Sequence, residues 1–150
     1  MNALIICESV HHDNTYKIAK VIAEAIGAKL CRPDEVEAGV IETYDLIGFG
    51  SGIYYGKHHE KLYRLIEDAD IKGKNVFVFS TSGMGKETYN KALIDYVESK
   101  GANVKGSFAC KGYDTYSIFK LIGGIAKGHP DDMDMEKAKS FAKTFIESDL

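Results

Sequence analysis

Four short stretches of the chain combine hydroxyls, amides, glycines and aromatic rings in patterns suited to holding a ligand. Residues 9–15 read Ser9-Val10-His11-His12-Asp13-Asn14-Thr15 and run directly into an amphipathic segment. Hydroxyls, an amide and free backbone N–H groups at a helix start form an anion site. The aligned peptide dipoles add about half a positive charge there. Thr15 or Asn14 would also serve as a helix cap. A cap needs one such residue, however, and this loop offers several, so phosphate binding is the preferred reading. The second stretch is Gly50-Ser51-Gly52-Ile53-Tyr54-Tyr55-Gly56-Lys57. Its glycines let a ligand approach the backbone, and its adjacent tyrosines offer flat apolar faces with polar tips. Read structurally, one of the two tyrosines packs inward as core. The third stretch, Ser80-Thr81-Ser82-Gly83-Met84-Gly85, is small and polar with one soft apolar side chain. The fourth is Lys111-Gly112-Tyr113-Asp114-Thr115-Tyr116. Together they supply one anion cradle and several small or aromatic walls, which suits a planar ring carrying a phosphate tail.

The same residue types argue against other chemistries. His11-His12 and His58-His59 are adjacent pairs, and His129 stands alone. Metal sites favour i, i+4 spacing on a helix or Cys, Asp and Glu company, whereas neighbouring side chains point apart. A hydrogen bond from one loop histidine to phosphate is the better use of the first pair. The second pair reads as a solvated helix start. No Ser/His/Asp spacing suggests a nucleophile, and Ser82 lacks the strand-to-helix elbow that would expose one.

Each of the four stretches follows an apolar run. "ALIIC" (3–7) is a short continuous run, as in a strand buried on both faces. Ile18, Ala19, Val21, Ile22, Ala25 and Ile26 recur at helical spacing, and Gly27 supplies a stop. "AKLCR" (28–32) is a short strand candidate and "DLIGFGSG" (45–52) a third strand. Residues 58–69 place Leu62, Leu65, Ile66 and Ala69 on one helical face. "NVFVFSTSG" (75–83) is strongly β-prone. Residues 86–101 form a helix closed by Gly101, and "NVKGSFACKG" (103–112) is a fifth strand. Residues 134–148 form the last helix, with Asp131, Asp132 and Asp134 near its positive end. Strands alternating with helices imply an α/β fold, a parallel sheet covered on both faces. In such sheets the ligand sits beyond the carboxyl ends of the strands, where strand order reverses, and all four stretches lie at carboxyl ends.

The 150 residues fit one domain spanning 1–150, and 45% apolar content suffices for a core without staples. A net charge of −3 without a polybasic run excludes nucleic acid as the expected partner. Cys7, Cys31 and Cys110 all lie in apolar contexts and form no CxxC pair, so they read as buried reduced thiols. "MNALIICESV" reads as neither a signal peptide nor a membrane span, and no apolar run approaches the ~20 residues a span needs. The expectation is a soluble cytoplasmic protein.

Taken together, the four loops resemble those of the flavodoxin family over essentially the whole chain. That resemblance implies a doubly wound, five-stranded parallel sheet of order 2-1-3-4-5. It also implies flavin mononucleotide (FMN), its phosphate in the first loop and its isoalloxazine ring between the loops after the third and fourth strands. "SVHHDNT" takes the place of the family's S/T-x-T-G-x-T element: Asn14-Thr15 fits its end and Ser9 lies near its start. Val10 and His12 fall where hydroxyl residues are usual. Asp13 falls where glycine is usual, which brings a carboxylate toward the phosphate. The cofactor-binding set carried over is Ser9, Val10, His11, His12, Asp13, Asn14, Thr15, Ser51, Gly52, Ile53, Tyr54, Tyr55, Gly56, Thr81, Ser82, Gly83, Met84, Gly85 and Tyr113. "GFGSGIYYGKHHEKL" and "STSGMG" also resemble flavodoxin-like, quinone-dependent protoporphyrinogen oxidases, and "GHPDDMDMEKAKSFA" is typical of flavodoxin-like chains. With no insertion splitting the fifth strand, the chain resembles the short-chain form.

Two functions follow from the resemblance. One is an electron carrier shuttling electrons between redox partner proteins. The other is an FMN-dependent oxidoreductase acting on a quinone or a porphyrinogen, where only His58, Lys57 or Tyr113 could assist as an acid or base. The carrier is preferred, although a charge of −3 would steer basic partners weakly.

Overall fold

The computed structural model describes residues 1–10, 13–113 and 126–147. Five parallel strands form the sheet: β1 (Ala3–Glu8), β2 (Lys29–Cys31), β3 (Leu46–Tyr54), β5 (Asn75–Ser82) and β6 (Asn103–Lys111). Their order is β2-β1-β3-β5-β6. This is the order expected for the five long strands, with β5 and β6 as the fourth and fifth. A two-residue strand, β4 (Lys57–His58), folds back antiparallel on β3, pairing Tyr54 with Lys57. Tyr55 and Gly56 form the turn with φ of 52° and 81°. Two positive φ values are what a two-residue hairpin requires.

The helices cover both faces. Helix α1 (Asn14–Ile26) and helix α5 (Asp132–Glu147) lie on one side. There Ile18, Ile22 and Ala142 meet Ile5, Cys7, Phe77 and Phe79. Helices α2 (Ala38–Ile41), α3 (Glu60–Asp68) and α4 (Lys91–Ser99) lie on the other. There Ile41, Leu62, Ile66, Leu93 and Val97 meet Leu4, Ile6, Ile47, Phe49, Val76 and Val78. Alternate residues of each strand thus feed opposite cores, which is why β1 is buried at every position.

Three expectations change. Residues 86–90 do not continue α4; a 3₁₀ turn covers Glu87–Asn90. Asn90 is buried there, and its side chain donates to Ser107 Oγ (2.9 Å) and the Phe108 carbonyl (3.0 Å), drawing the chain toward the sheet. The last helix begins earlier, at Asp132, because Asp131 and Asp134 cap it reciprocally, each carboxylate accepting the other's N–H at 2.9 Å. The third change concerns glycines. Gly50 was expected to admit a ligand, but it admits the Phe79 ring: a Cβ at Gly50 would lie 2.2 Å from it. Gly48 is similarly filled by Phe77.

Candidate functional site

At the carboxyl ends of β1, β3, β5 and β6 an open cleft of about 410 Å³ separates the N-terminus of α1 from the end of β3. Ser9, Val10, Asn14 and Thr15 line one wall, Gly52, Ile53 and Tyr54 another, and Thr81, Ser82, Gly112 and Tyr113 the rest. Neither Asn14 nor Thr15 caps α1, which carries no side-chain cap bond. Instead the Thr15 and Thr81 hydroxyls share a buried hydrogen bond of 2.8 Å, and the Asn14 amide donates to the Tyr113 carbonyl at 2.8 Å. These two bonds tie the β1 loop to the β5 and β6 loops. Asp13, at the helix N-cap, takes a left-handed backbone with φ 53°, and its carbonyl accepts the Lys17 N–H. The sequence profile of the flavodoxin domain matches residues 4–132. A relative from Methanocaldococcus jannaschii, the uncharacterized protein MJ0298, is 48% identical across 99% of this chain and 100% of its own.

The chain belongs to the flavodoxin family. Among solved structures it is similar to a flavodoxin from the domain Archaea, with a TM-score of 0.75 and 17% identity over 98% of this chain and 97% of the other. It is also similar to oxidised Flavodoxin 2 from Bacillus cereus, with a TM-score of 0.72 and 23% identity over 98% and 99%. These structural likenesses bear on the fold.

Membership of the family implies a flavin, and the donors in the cleft fit one. Ser9, Asn14 and Thr15 are buried polar residues gathered at a helix N-terminus, which suits a phosphate. Gly112 lies so close to Asn14 that a Cβ there would sit 2.8 Å from its amide nitrogen. This contact keeps the two walls together. Tyr54 and Tyr113 provide ring-sized surfaces on different elements.

The cleft gathers Ser9, Val10, Asn14, Thr15, Gly52, Ile53, Tyr54, Thr81, Ser82 and Tyr113 from the predicted set. His11 and His12 lie outside the described residues, as do Asp114, Thr115 and Tyr116. Asp13, Tyr55, Gly56 and Met84 are exposed beside the cleft without lining it. Gly83 and Gly85 belong to the turn after β5, where the Gly85 N–H donates to Ser82 Oγ at 2.8 Å. Ser51 points to the opposite face. Its hydroxyl donates to the Gly52 carbonyl (2.6 Å) and accepts the His59 N–H (2.9 Å). Gly112, part of the fourth stretch but not of the carried-over cofactor set, also lines the cleft. His129 escaped the sequence reading as a site residue: its carbonyl accepts the Tyr113 N–H at 2.9 Å, fixing that wall from the start of α5.

The expected solvated pair His58-His59 is corrected. His58 is buried in β4, where its Nε2–H donates to the Phe79 carbonyl at 2.8 Å. Burial lowers its pKa to about 4, opposed in part by that hydrogen bond. His59 is the N-cap of α3, its Nδ1 accepting the Lys61 N–H at 3.1 Å. The three cysteines are free and buried, as expected. Burial pushes all three thiols up, Cys31 to about 11 and Cys110 to about 12, so they pack as neutral side chains. Among the described residues, no helix is long and apolar enough to cross a membrane.

Proposed function

We propose that this chain binds FMN without covalent attachment in the cleft and carries electrons between redox partner proteins. The observation that carries the reading is the meeting of buried hydroxyls and an amide at the α1 N-terminus with two tyrosines from separate loops. Ser9, Asn14, Thr15 and Thr81 would hold the phosphate end, and Tyr54 and Tyr113 would flank the ring. Bound FMN supplies the one- and two-electron chemistry; the side chains bind it, orient it and exclude water. Of the three groups expected to assist as an acid or base, the described lining holds Tyr113; Lys57 lies outside it, and burial keeps His58 neutral near pH 7. That favours a carrier over turnover of a small substrate. The rim supports the same reading: Val10, Tyr55 and Met84 are 52%, 90% and 54% exposed on three different loops. Such a rim suits brief contact with a partner protein more than a closed substrate pocket.

The test is titration of the purified protein with FMN and with riboflavin. FMN should bind at least tenfold more tightly, since each charge-assisted hydrogen bond to phosphate contributes ~1.5–3 kcal/mol. Equal affinities would refute a phosphate-binding first loop. The loaded protein should also exchange electrons with a protein acceptor faster than it turns over a soluble quinone. The reverse ranking would favour the oxidoreductase.

A further inference from the structure

The second histidine pair has no part in the proposed cofactor contacts, yet one of its members reaches the cleft through a neighbour. The His59 ring meets the Tyr54 ring nearly at right angles, 84° between planes and 5.2 Å between centroids. Edge-to-face pairs of this kind attract beyond the area they bury. The residue is itself held at two points, one on the ring and one on the backbone. Its Nδ1 accepts the Lys61 N–H at the start of α3, and its backbone N–H donates to Ser51 Oγ, which is bonded in turn to the Gly52 carbonyl. With Nδ1 accepting, the ring proton sits on Nε2. A second, open hollow also borders Tyr54, lined with it by Tyr55, Lys57, His59, Glu60 and Tyr63. Tyr54 therefore borders two spaces, and the His59 ring stands against it on the side of the second.

We propose that His59 is a positioning residue for the cleft: its capped imidazole keeps the Tyr54 ring in the wall. This rests on the reading of the cleft as a flavin site only for its effect on binding. The position of Tyr54 can be measured without flavin. His59→Asn keeps an acceptor for the Lys61 N–H, since asparagine is a strong N-cap, but removes the ring. His59→Phe restores a ring and removes the acceptor.

The experiment follows the Tyr54 ring signals by NMR in flavin-free protein, assigned by comparison with Tyr54→Phe, alongside FMN titration. His59→Asn should keep the wild-type melting temperature, shift the Tyr54 signals toward those of an exposed tyrosine and weaken FMN binding two- to tenfold. His59→Phe should melt lower yet keep the Tyr54 signals. Unchanged Tyr54 signals in His59→Asn would overturn the proposal. So would equal displacement in both variants, which would assign the effect to the helix cap. A displaced Tyr54 in a protein whose wild type fails to bind FMN would refute the cleft assignment and leave the positioning role standing.

Discussion

Burial of His58 makes a specific demand on stability at acid pH. Its side chain is 3% exposed, donates from Nε2 to the Phe79 carbonyl and has no partner for Nδ1 among the described residues. Removal from water lowers its pKa from 6.5 to about 4, although the bond to Phe79 pulls the other way. In the unfolded chain the imidazole takes a proton near pH 6.5; in the folded chain it resists until about pH 4. Between those values the unfolded state binds more protons, so stability falls as pH falls. The contribution of neutral His58 is complete above pH 6.5 and is lost by about pH 4. At about 1.4 kcal/mol per pH unit, the loss is about 3 kcal/mol, a large share of a typical 5–15 kcal/mol. The comparison is denaturant unfolding of wild type and His58→Gln at several values between pH 8 and pH 4. Glutamine keeps a donor for the Phe79 carbonyl and does not titrate. Other histidines and carboxylates contribute equally to both proteins and cancel in the difference. The variant should gain on the wild type by about 3 kcal/mol from pH 7 to pH 4, nearly all of it between pH 6.5 and pH 4. Parallel curves would refute the reasoning and show that water reaches the ring.

Asp13→Gly should tighten FMN binding several-fold at low salt and less at high salt, because it removes a carboxylate beside the phosphate loop; weaker binding would give Asp13 a positive role. Its effect on stability should be small, since relief of the left-handed φ of 53° is offset by backbone entropy and a lost favourable charge at the helix start. Thr15→Val breaks the buried bond to Thr81 and should cost about 1–3 kcal/mol in unfolding measurements; adding Thr81→Val should recover part of the stability but none of the lost FMN affinity. Gly50→Ala places a methyl inside the Phe79 ring and should destabilise by about 1–3 kcal/mol or more. Thermal melts should show partial recovery when Phe79→Leu is added, and no recovery would place the clash elsewhere.

The parallel sheet and its edge that carries the cleft were legible from periodicity and chain connectivity, whereas the particular strand order came from the resemblance to the flavodoxin family. A run such as Ala3-Leu4-Ile5-Ile6-Cys7 leaves no polar face, so it has to lie between two helical layers. Right-handed crossovers then leave few orders to choose from. The hairpin of β3 and β4 was not legible. Tyr55 at φ 52° breaks the usual preference of such turns for Asn, Asp or Gly at that position, and only Gly56 gave a local hint. Glycine in β3 misled for a related reason. The role of Gly50 is set by Phe79 on the neighbouring strand, 29 residues on, and nothing near Gly50 reveals whether a ring or a ligand fills its space.

The two histidine pairs show why a site is harder to read than the sheet around it. His58 and His59 are the same residue type at consecutive positions, yet one is sealed against the Phe79 carbonyl and the other caps α3 and faces Tyr54. The elements that claim them explain the difference: His58 ends β4, where the Phe79 carbonyl is a buried acceptor, whereas His59 is already the N-cap of α3. The charged residues that follow the pair, Glu60 and Lys61, do belong to α3. The helix starts two residues later than the first histidine because the hairpin claims His58 for pairing with Ile53. Asn14 and Thr15 failed as caps for a comparable reason. The N-cap position falls on Asp13, and each instead has a distant partner, Tyr113 at 99 residues and Thr81 at 66 residues of separation. Residues that could have satisfied their own helix instead tie the loops of separate strands together at the edge of the sheet that carries the cleft.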